Sequence, residues 1–134
     1  AERLTGSRHY RLATVHPEGR PHVMPVWGVW LEDSLLFSTG LESRRARNLA
    51  SNPHCAATVE SGSEAVIVEG TVTRGGLEFD ALPAFLAAYQ AKYDWELDAG
   101  QVEGIFVLHP RVVFGLIEAP GQFATSATRW TFDG

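Results

Sequence analysis

The stretch Leu35-Leu36-Phe37-Ser38-Thr39-Gly40-Leu41-Glu42-Ser43-Arg44-Arg45-Ala46-Arg47-Asn48-Leu49-Ala50-Ser51-Asn52-Pro53 changes its structural signal twice. Leu35 to Thr39 is a short apolar run that ends in hydroxyls and a glycine, which reads as a strand. Ser43 then stands where a helix N-cap belongs, the residues to Ser51 form a short helix, and Asn52-Pro53 stops it. Strand character resumes at once in Cys55 to Glu60 and in Ala65 to Arg74, on either side of the hairpin signal Ser61-Gly62-Ser63-Glu64.

The flanking segments repeat this pattern. Upstream, His9 to His16 alternates Tyr10, Leu12 and Thr14 with Arg11, Ala13 and Val15. The turn Pro17-Glu18-Gly19-Arg20 then leads into a long strand from Pro21 to Leu31. Pro25 within it has no N–H for a ladder, which predicts an edge, a bulge or a place where a ligand replaces a neighbouring strand. Glu32-Asp33-Ser34 turns the chain into Leu35. Downstream, Asp80 is expected to cap a longer helix, because Leu82, Phe85, Leu86, Tyr89 and Tyr93 recur at helical spacing. Strands Ile105 to His109 and Val112 to Ile117 flank Pro110, Gly115 marks a bulge or a close backbone approach, and a last short strand spans Thr128 to Phe132. The expected fold is mainly β: one domain over residues 1–134, an antiparallel barrel with two helical inserts.

Composition narrows the function classes. The 134 residues are 45% hydrophobic and carry 11 Lys+Arg against 16 Asp+Glu, a net charge of −5. That acidic balance argues against a duplex nucleic-acid binder, which must neutralise many phosphates. No run approaches the roughly 20 apolar residues of a membrane helix, and residues 1–5 lack the apolar core of a signal peptide. With Cys55 the single cysteine, the expectation is a cytoplasmic protein without a disulfide framework. His9, His16, His22, His54 and His109 are scattered and there is no Cys-x-x-Cys, so no metal site is expected. No Gly-x-Ser-x-Gly elbow is present either, and no catalytic acid or base stands out.

Lys92 is the sole lysine, so nearly all positive charge is arginine, and three of those arginines bunch at Arg44, Arg45 and Arg47. A helix start is already positive and disfavours each cation by roughly 0.3–1 kcal/mol. Two readings remain open at this point. One is a bound anion, a phosphate ester held by the arginines with help from Ser43, Asn48 and the free N–H groups of the helix. The other is a solvated arginine face paired with Glu42 and neighbouring acids.

The chain resembles the flavin-binding split β-barrels related to pyridoxamine 5'-phosphate oxidase, a family that includes deazaflavin F420-dependent reductases. The most specific segment is Leu36-Phe37-Ser38-Thr39 with Ser43-Arg44-Arg45-Ala46-Arg47-Asn48-Leu49 and Asn52-Pro53. Leu12 to Val15 with Gly19 to Val26 is similar to the family's first hairpin, and Val68-Glu69-Gly70-Thr71 to a later barrel strand. The resemblance covers about Tyr10 to Phe132. It implies the FMN-binding split barrel fold, FMN or F420 as cofactor, and a homodimer with the cofactor in a groove between protomers. It also implies that Arg45 holds the cofactor phosphate with Arg44, Ser43 and Asn48 as helpers. Pro25, Val26 and Trp27 would then lie beside the ring, and Ser38 and Thr39 would meet the ribityl chain or ring edge. Near the C-terminus the family's oxidase carries an Arg-Leu-His run where this chain reads Thr128-Arg129-Trp130-Thr131. Arg129 can still reach an anionic substrate or cofactor tail, but the histidine is absent and vitamin B6 oxidation is not implied.

The activity implied is an oxidoreductase that passes hydride between bound FMN or F420 and a small-molecule substrate. A non-catalytic cofactor carrier and a haem-binding relative on the same fold are the alternatives. For F420, whose anionic tail needs extra basic surface, Arg20, Arg74, Arg111 and Arg129 are candidates if they converge. Trp30, Trp95 and Trp130 are assigned to core or interface, and Cys55 to the core.

Overall fold

The computed structural model describes residues 9–31, 33–40, 43–61, 64–75, 80–118 and 125–131, and for residues 60, 61, 64, 99, 100, 116–118 and 125–130 the backbone alone. Eight strands form one antiparallel sheet: β1 (Tyr10–Val15), β2 (Pro21–Val26), β3 (Gly28–Leu31), β4 (Ser34–Ser38), β5 (His54–Ser61), β6 (Glu64–Arg74), β7 (Ile105–Glu118) and β8 (Thr125–Thr131). Three helices are described, α1 (Arg44–Ser51), α2 (Leu82–Tyr93) and α3 (Ala99–Glu103). The strand order is β2-β1-β5-β6-β7-β4-β3, and β8 pairs with β7 beside this path. The architecture is the mainly β, antiparallel split barrel expected from sequence.

β2 and β3 stand at the two ends of that order although only Trp27 separates them in the chain. The expected strand from Pro21 to Leu31 is therefore two strands, and the break at Trp27 carries the chain from one margin of the sheet to the other. The expected pair flanking Pro110 is the reverse case, a single long strand. The N-terminal half of β7 pairs with β4, Leu35 opposite Leu108, and its C-terminal half pairs with β8, Val113 opposite Trp130. The change of partner falls at a register shift, where Gly70 faces Pro110 and Glu69 faces Val112, leaving Arg111 as the extra residue. A Cβ on Gly70 would overlap the carbonyl of His109, so this close approach admits only glycine. The bulge thus lies here and not at Gly115, whose register with Val66 and Thr128 is regular.

Turn chemistry agrees with the sequence. Gly19 adopts a positive φ of 90° and donates to the His16 carbonyl at 2.7 Å, closing the β1–β2 hairpin. Two cores result. Tyr10, Leu12, Phe37, Val68 and Leu108 fill the barrel, which α1 closes with Ala46 and Leu49. Leu36, Ile105 and Val107 point the opposite way, as alternation requires, and pack against Phe85, Tyr89 and Tyr93 of α2 and Val102 of α3. β4 is thereby buried on both faces, and burying Phe37 alone contributes roughly 1.5–3 kcal/mol. α2 lacks the expected Asp80 cap: Ala81 holds that position with no side-chain bond, and Pro83 in the first turn supplies the preset φ instead. α3 was not legible because its five residues are too few to show a period.

Candidate functional site

α1 begins with a capped turn. Ser43 is extended, φ −68° and ψ 160°, and its Oγ accepts the Ala46 N–H at 3.1 Å. Thr39, buried at the end of β4, lies 3.0 Å from the same Oγ. Arg45 Nε donates to Thr39 Oγ1 at 3.2 Å, and Arg45 Nη1 to the Pro25 carbonyl at 3.4 Å. The half-buried guanidinium is therefore oriented by two neutral oxygens, and among the described residues it makes no ion pair. Burial lowers its affinity for its own proton. A desolvated cation so placed gains by meeting an anion.

The Pro25 carbonyl is available because β2 is a sheet margin. Its single partner among the described strands is β1, with Pro25 opposite Arg11 and Val23 opposite Ala13. Val23, Met24 and Pro25 are all exposed, the first two at 56% and 46%. A concavity of about 700 Å³ opens along this margin, lined by His9, Arg11, Val23, Met24, Pro25 and Thr58.

The structure thus brings Pro25, Thr39, Ser43 and Arg45 together. The remaining sequence candidates make other contacts. Val26 points into the barrel at 5% exposure. Asn48 is fully buried, its amide donating to Thr14 Oγ1 at 3.0 Å while its Oδ1 has no partner among the described residues, so it braces α1 against β1 and is not on the surface. Trp27 stacks on Tyr93, centroids 4.5 Å apart and planes 1° from parallel, which gives it a packing role in the second core. Tyr93 Oη also receives the Gly28 N–H and lies 2.9 Å from the Gly28 carbonyl, and Lys92 Nζ donates to that carbonyl at 2.9 Å. Together they pin the crossing from β2 to β3. Ser38 donates to the Gln101 carbonyl at 2.6 Å. Arg44 is half-buried and raises the positive field at His16. Arg47 is exposed and lines a separate cavity of about 310 Å³ with Arg74. Arg129 lies on β8 opposite Phe114, with its side chain outside the described residues.

The basic residues considered for an extended anionic tail have different neighbours. Arg20 pairs with Glu18 at 3.4 Å in the first hairpin, Arg74 with Glu103 at 3.7 Å, and Arg111 lines a third cavity of about 460 Å³ that includes Cys55. Cys55 is buried, and desolvation pushes its thiol up to about 12, which favours the neutral thiol. Among the described residues no three metal-ligating side chains converge, and no helix is long and apolar enough to cross a membrane.

Residues 1–116 match the family model of pyridoxamine 5'-phosphate oxidase. The chain belongs to that family. Solved structures agree with this assignment. An F420 reductase is 27% identical, with 84% of this chain and 94% of that one covered at a TM-score of 0.65. A heme binding protein from Mycobacterium smegmatis is 22% identical at a TM-score of 0.71, over 92% of this chain and 53% of that one. An FMN binding protein related to pyridoxamine 5'-phosphate oxidase, from Nostoc punctiforme, is 18% identical at 0.64, covering 95% and 87%. One family fold therefore carries deazaflavin, flavin and haem proteins, and the residues of the site must distinguish them.

His9, Arg11 and Thr58 were not singled out from sequence. The signal was present, since alternation with Tyr10 and Leu12 puts His9 and Arg11 on the outer face of β1. What sequence could not supply was the pairing of Arg11 with Pro25 on one side and Thr58 on the other.

Proposed function

We propose that this protein binds FMN or F420 by its phosphate at Arg45 and is an oxidoreductase acting on a small molecule beside β2. The observation that carries the reading is the Arg45 guanidinium, half-buried, oriented by Thr39 Oγ1 and the Pro25 carbonyl, and lacking an ion pair among the described residues. These residues fit a phosphate. Thr39 Oγ1 accepts from Arg45 Nε, Ser43 Oγ accepts from Ala46 N, and the two hydroxyls lie 3.0 Å apart, so whichever donates within the pair the other keeps its proton for a phosphate oxygen. The ring of a bound flavin or deazaflavin supplies the hydride chemistry, and the protein contributes binding and orientation. The margin of β2, exposed on both faces, supports a homodimer in which a second copy covers Val23 and Met24.

Titration with FMN, F420 and haem, followed by visible absorption, tests the reading. One of the first two is expected to saturate, and Arg45→Ala to weaken it by about 1.5–3 kcal/mol, or ten- to a hundredfold. Saturation by haem alone, with a Soret band, favours the haem-binding alternative. Cofactor binding without turnover of any acceptor favours a carrier. Sedimentation velocity tests the dimer, and a monomer at micromolar concentration rejects it.

A further inference from the structure

Two buried polar atoms beneath α1 are left over by the contacts described so far. His22 Nδ1 and Asn48 Oδ1 are both shielded from solvent, and neither has a hydrogen-bond partner among the described residues. Native interiors rarely leave such groups unpaired, because each gives up its bond to water without replacement. Both neighbour the same side chain. Thr14 Oγ1 accepts from Asn48 Nδ2 at 3.0 Å, and Thr14 is the register partner of His22 across β1 and β2. Directly opposed residues of an antiparallel pair carry Cβ atoms about 5 Å apart on one face, so imidazole and amide meet around the Thr14 hydroxyl. They are complementary in chemistry too. An amide oxygen only accepts, and Nδ1 donates when it carries the ring proton.

The same two elements already touch once. Arg45 Nη1 on α1 donates to the Pro25 carbonyl on β2 at 3.4 Å. Asn48 follows Arg45 by three residues on the helix and His22 precedes Pro25 by three on the strand, so a second contact lies beside the first where α1 crosses β2. The His16 imidazole supports this placement: after desolvation and Arg20, both Arg44 and His22 oppose its protonation, which sets the first turn of α1 over the β1–β2 hairpin.

We propose that His22 is a positioning residue for the arginine clamp, its Nδ1–H donating to Asn48 Oδ1. The bond ties α1 to β2 a second time and so holds the Arg45 guanidinium against Thr39 and Pro25. A turn of the imidazole about its Cβ–Cγ bond, a broad and soft torsion, closes it. Satisfying two buried groups at once outweighs that turn. That the clamp holds a cofactor phosphate rests on the function proposed above; the bond between His22 and Asn48 and its hold on Arg45 do not.

Nitrogen-15 NMR of the full chain without cofactor, at alkaline pH, reads both steps. The His22 ring is expected to carry its proton on Nδ1, and Asn48→Leu to remove that signal while Asn48→Asp, which keeps an acceptor, retains it. The Arg45 Nε–H resonance is expected to move towards that of a free arginine side chain in His22→Leu, with unchanged circular dichroism. His22→Asn, whose amide nitrogen falls where Nδ1 stood, should restore it, and His22→Gln, whose amide falls at Nε2, should not. Affinity for FMN or F420 should follow the same order, falling about fivefold or more in His22→Leu and His22→Gln and less than about twofold in His22→Asn. A His22 proton on Nε2 alone, an Arg45 resonance indifferent to His22→Leu, or rescue by glutamine instead of asparagine overturns the proposal. If Asn48→Leu does not fold, the His22 series decides alone. An Arg45 resonance that follows His22 in a chain binding neither cofactor rejects only the cofactor reading, and cofactor affinity unmoved by His22→Leu rejects only the positioning role.

Discussion

Pro25 and Pro110 both sit inside strands, and the molecule accommodates the missing N–H in opposite ways. Pro110 is buried in β7 with β6 alongside, so the ladder shifts register there, Arg111 becomes an extra residue, and Gly70 gives up its side chain to let the backbones close. Pro25 is exposed on a margin strand, where nothing had to shift. Its carbonyl faces away from β1 and is used by Arg45. A proline at the centre of a sheet bends the scaffold; one at the margin leaves a carbonyl for a site.

The largest expected effect lies at the centre. Gly70→Val forces a side chain into the His109 carbonyl and should destabilise the protein by about 3 kcal/mol in urea denaturation. Unchanged stability would mean that β6 and β7 do not approach so closely, and the contrast between the prolines would collapse. Ser43→Ala comes next. Loss of the acceptor for Ala46 N–H should cost about 1 kcal/mol, and phosphate affinity should fall with it because Thr39 and Arg45 lose their anchor. A smaller effect is expected at the margin. In an antiparallel strand the N–H and C=O of one residue point to the same side, so Pro25→Ala adds an N–H that meets solvent and keeps the carbonyl. Stability should change by less than about 0.5 kcal/mol and Arg45-dependent cofactor affinity should hold.

The mildest prediction concerns the positive field around the start of α1. Desolvation, with Arg20 and Arg44 next in importance, holds the His16 imidazole below its ordinary range. An unfolded chain takes up that proton near pH 6.5 while the native state resists, so His16 lowers stability as pH falls through that value and has no effect well above it. His16→Asn should flatten this part of the pH profile. Titration of the imidazole by NMR should show its pKa rising when a phosphate ligand binds, and an unmoved value would place the anion away from Arg44.

Much of this site was legible before any coordinates. Ser43 as the cap, the stop at Asn52-Pro53 and Arg45 in the first turn are local matters, decided within a few residues by backbone hydrogen bonding. The margin character of β2 was also readable, because a proline limits where a strand can sit. Val26 and Asn48 are buried, because adjacency in sequence carries no depth. Val26 next to Pro25 faces the opposite side of the strand, and Asn48, polar on a short helix, turns inward to satisfy Thr14.

The sequence by itself determined the strand and helix segments, the buried faces and the arginine-bearing helix start, since periods of 2 and 3.6 and turn chemistry are properties of a few consecutive residues. Only the tertiary structure decided which faces meet. Arg45 finds Pro25 across 20 residues, Asn48 finds Thr14 across 34, and Gly28 is pinned by Tyr93 across 65. A repeating pattern specifies the side on which a residue lies but not its partner there. That choice lies in the spatial order of the strands, which puts the β2 margin beside the first turn of α1.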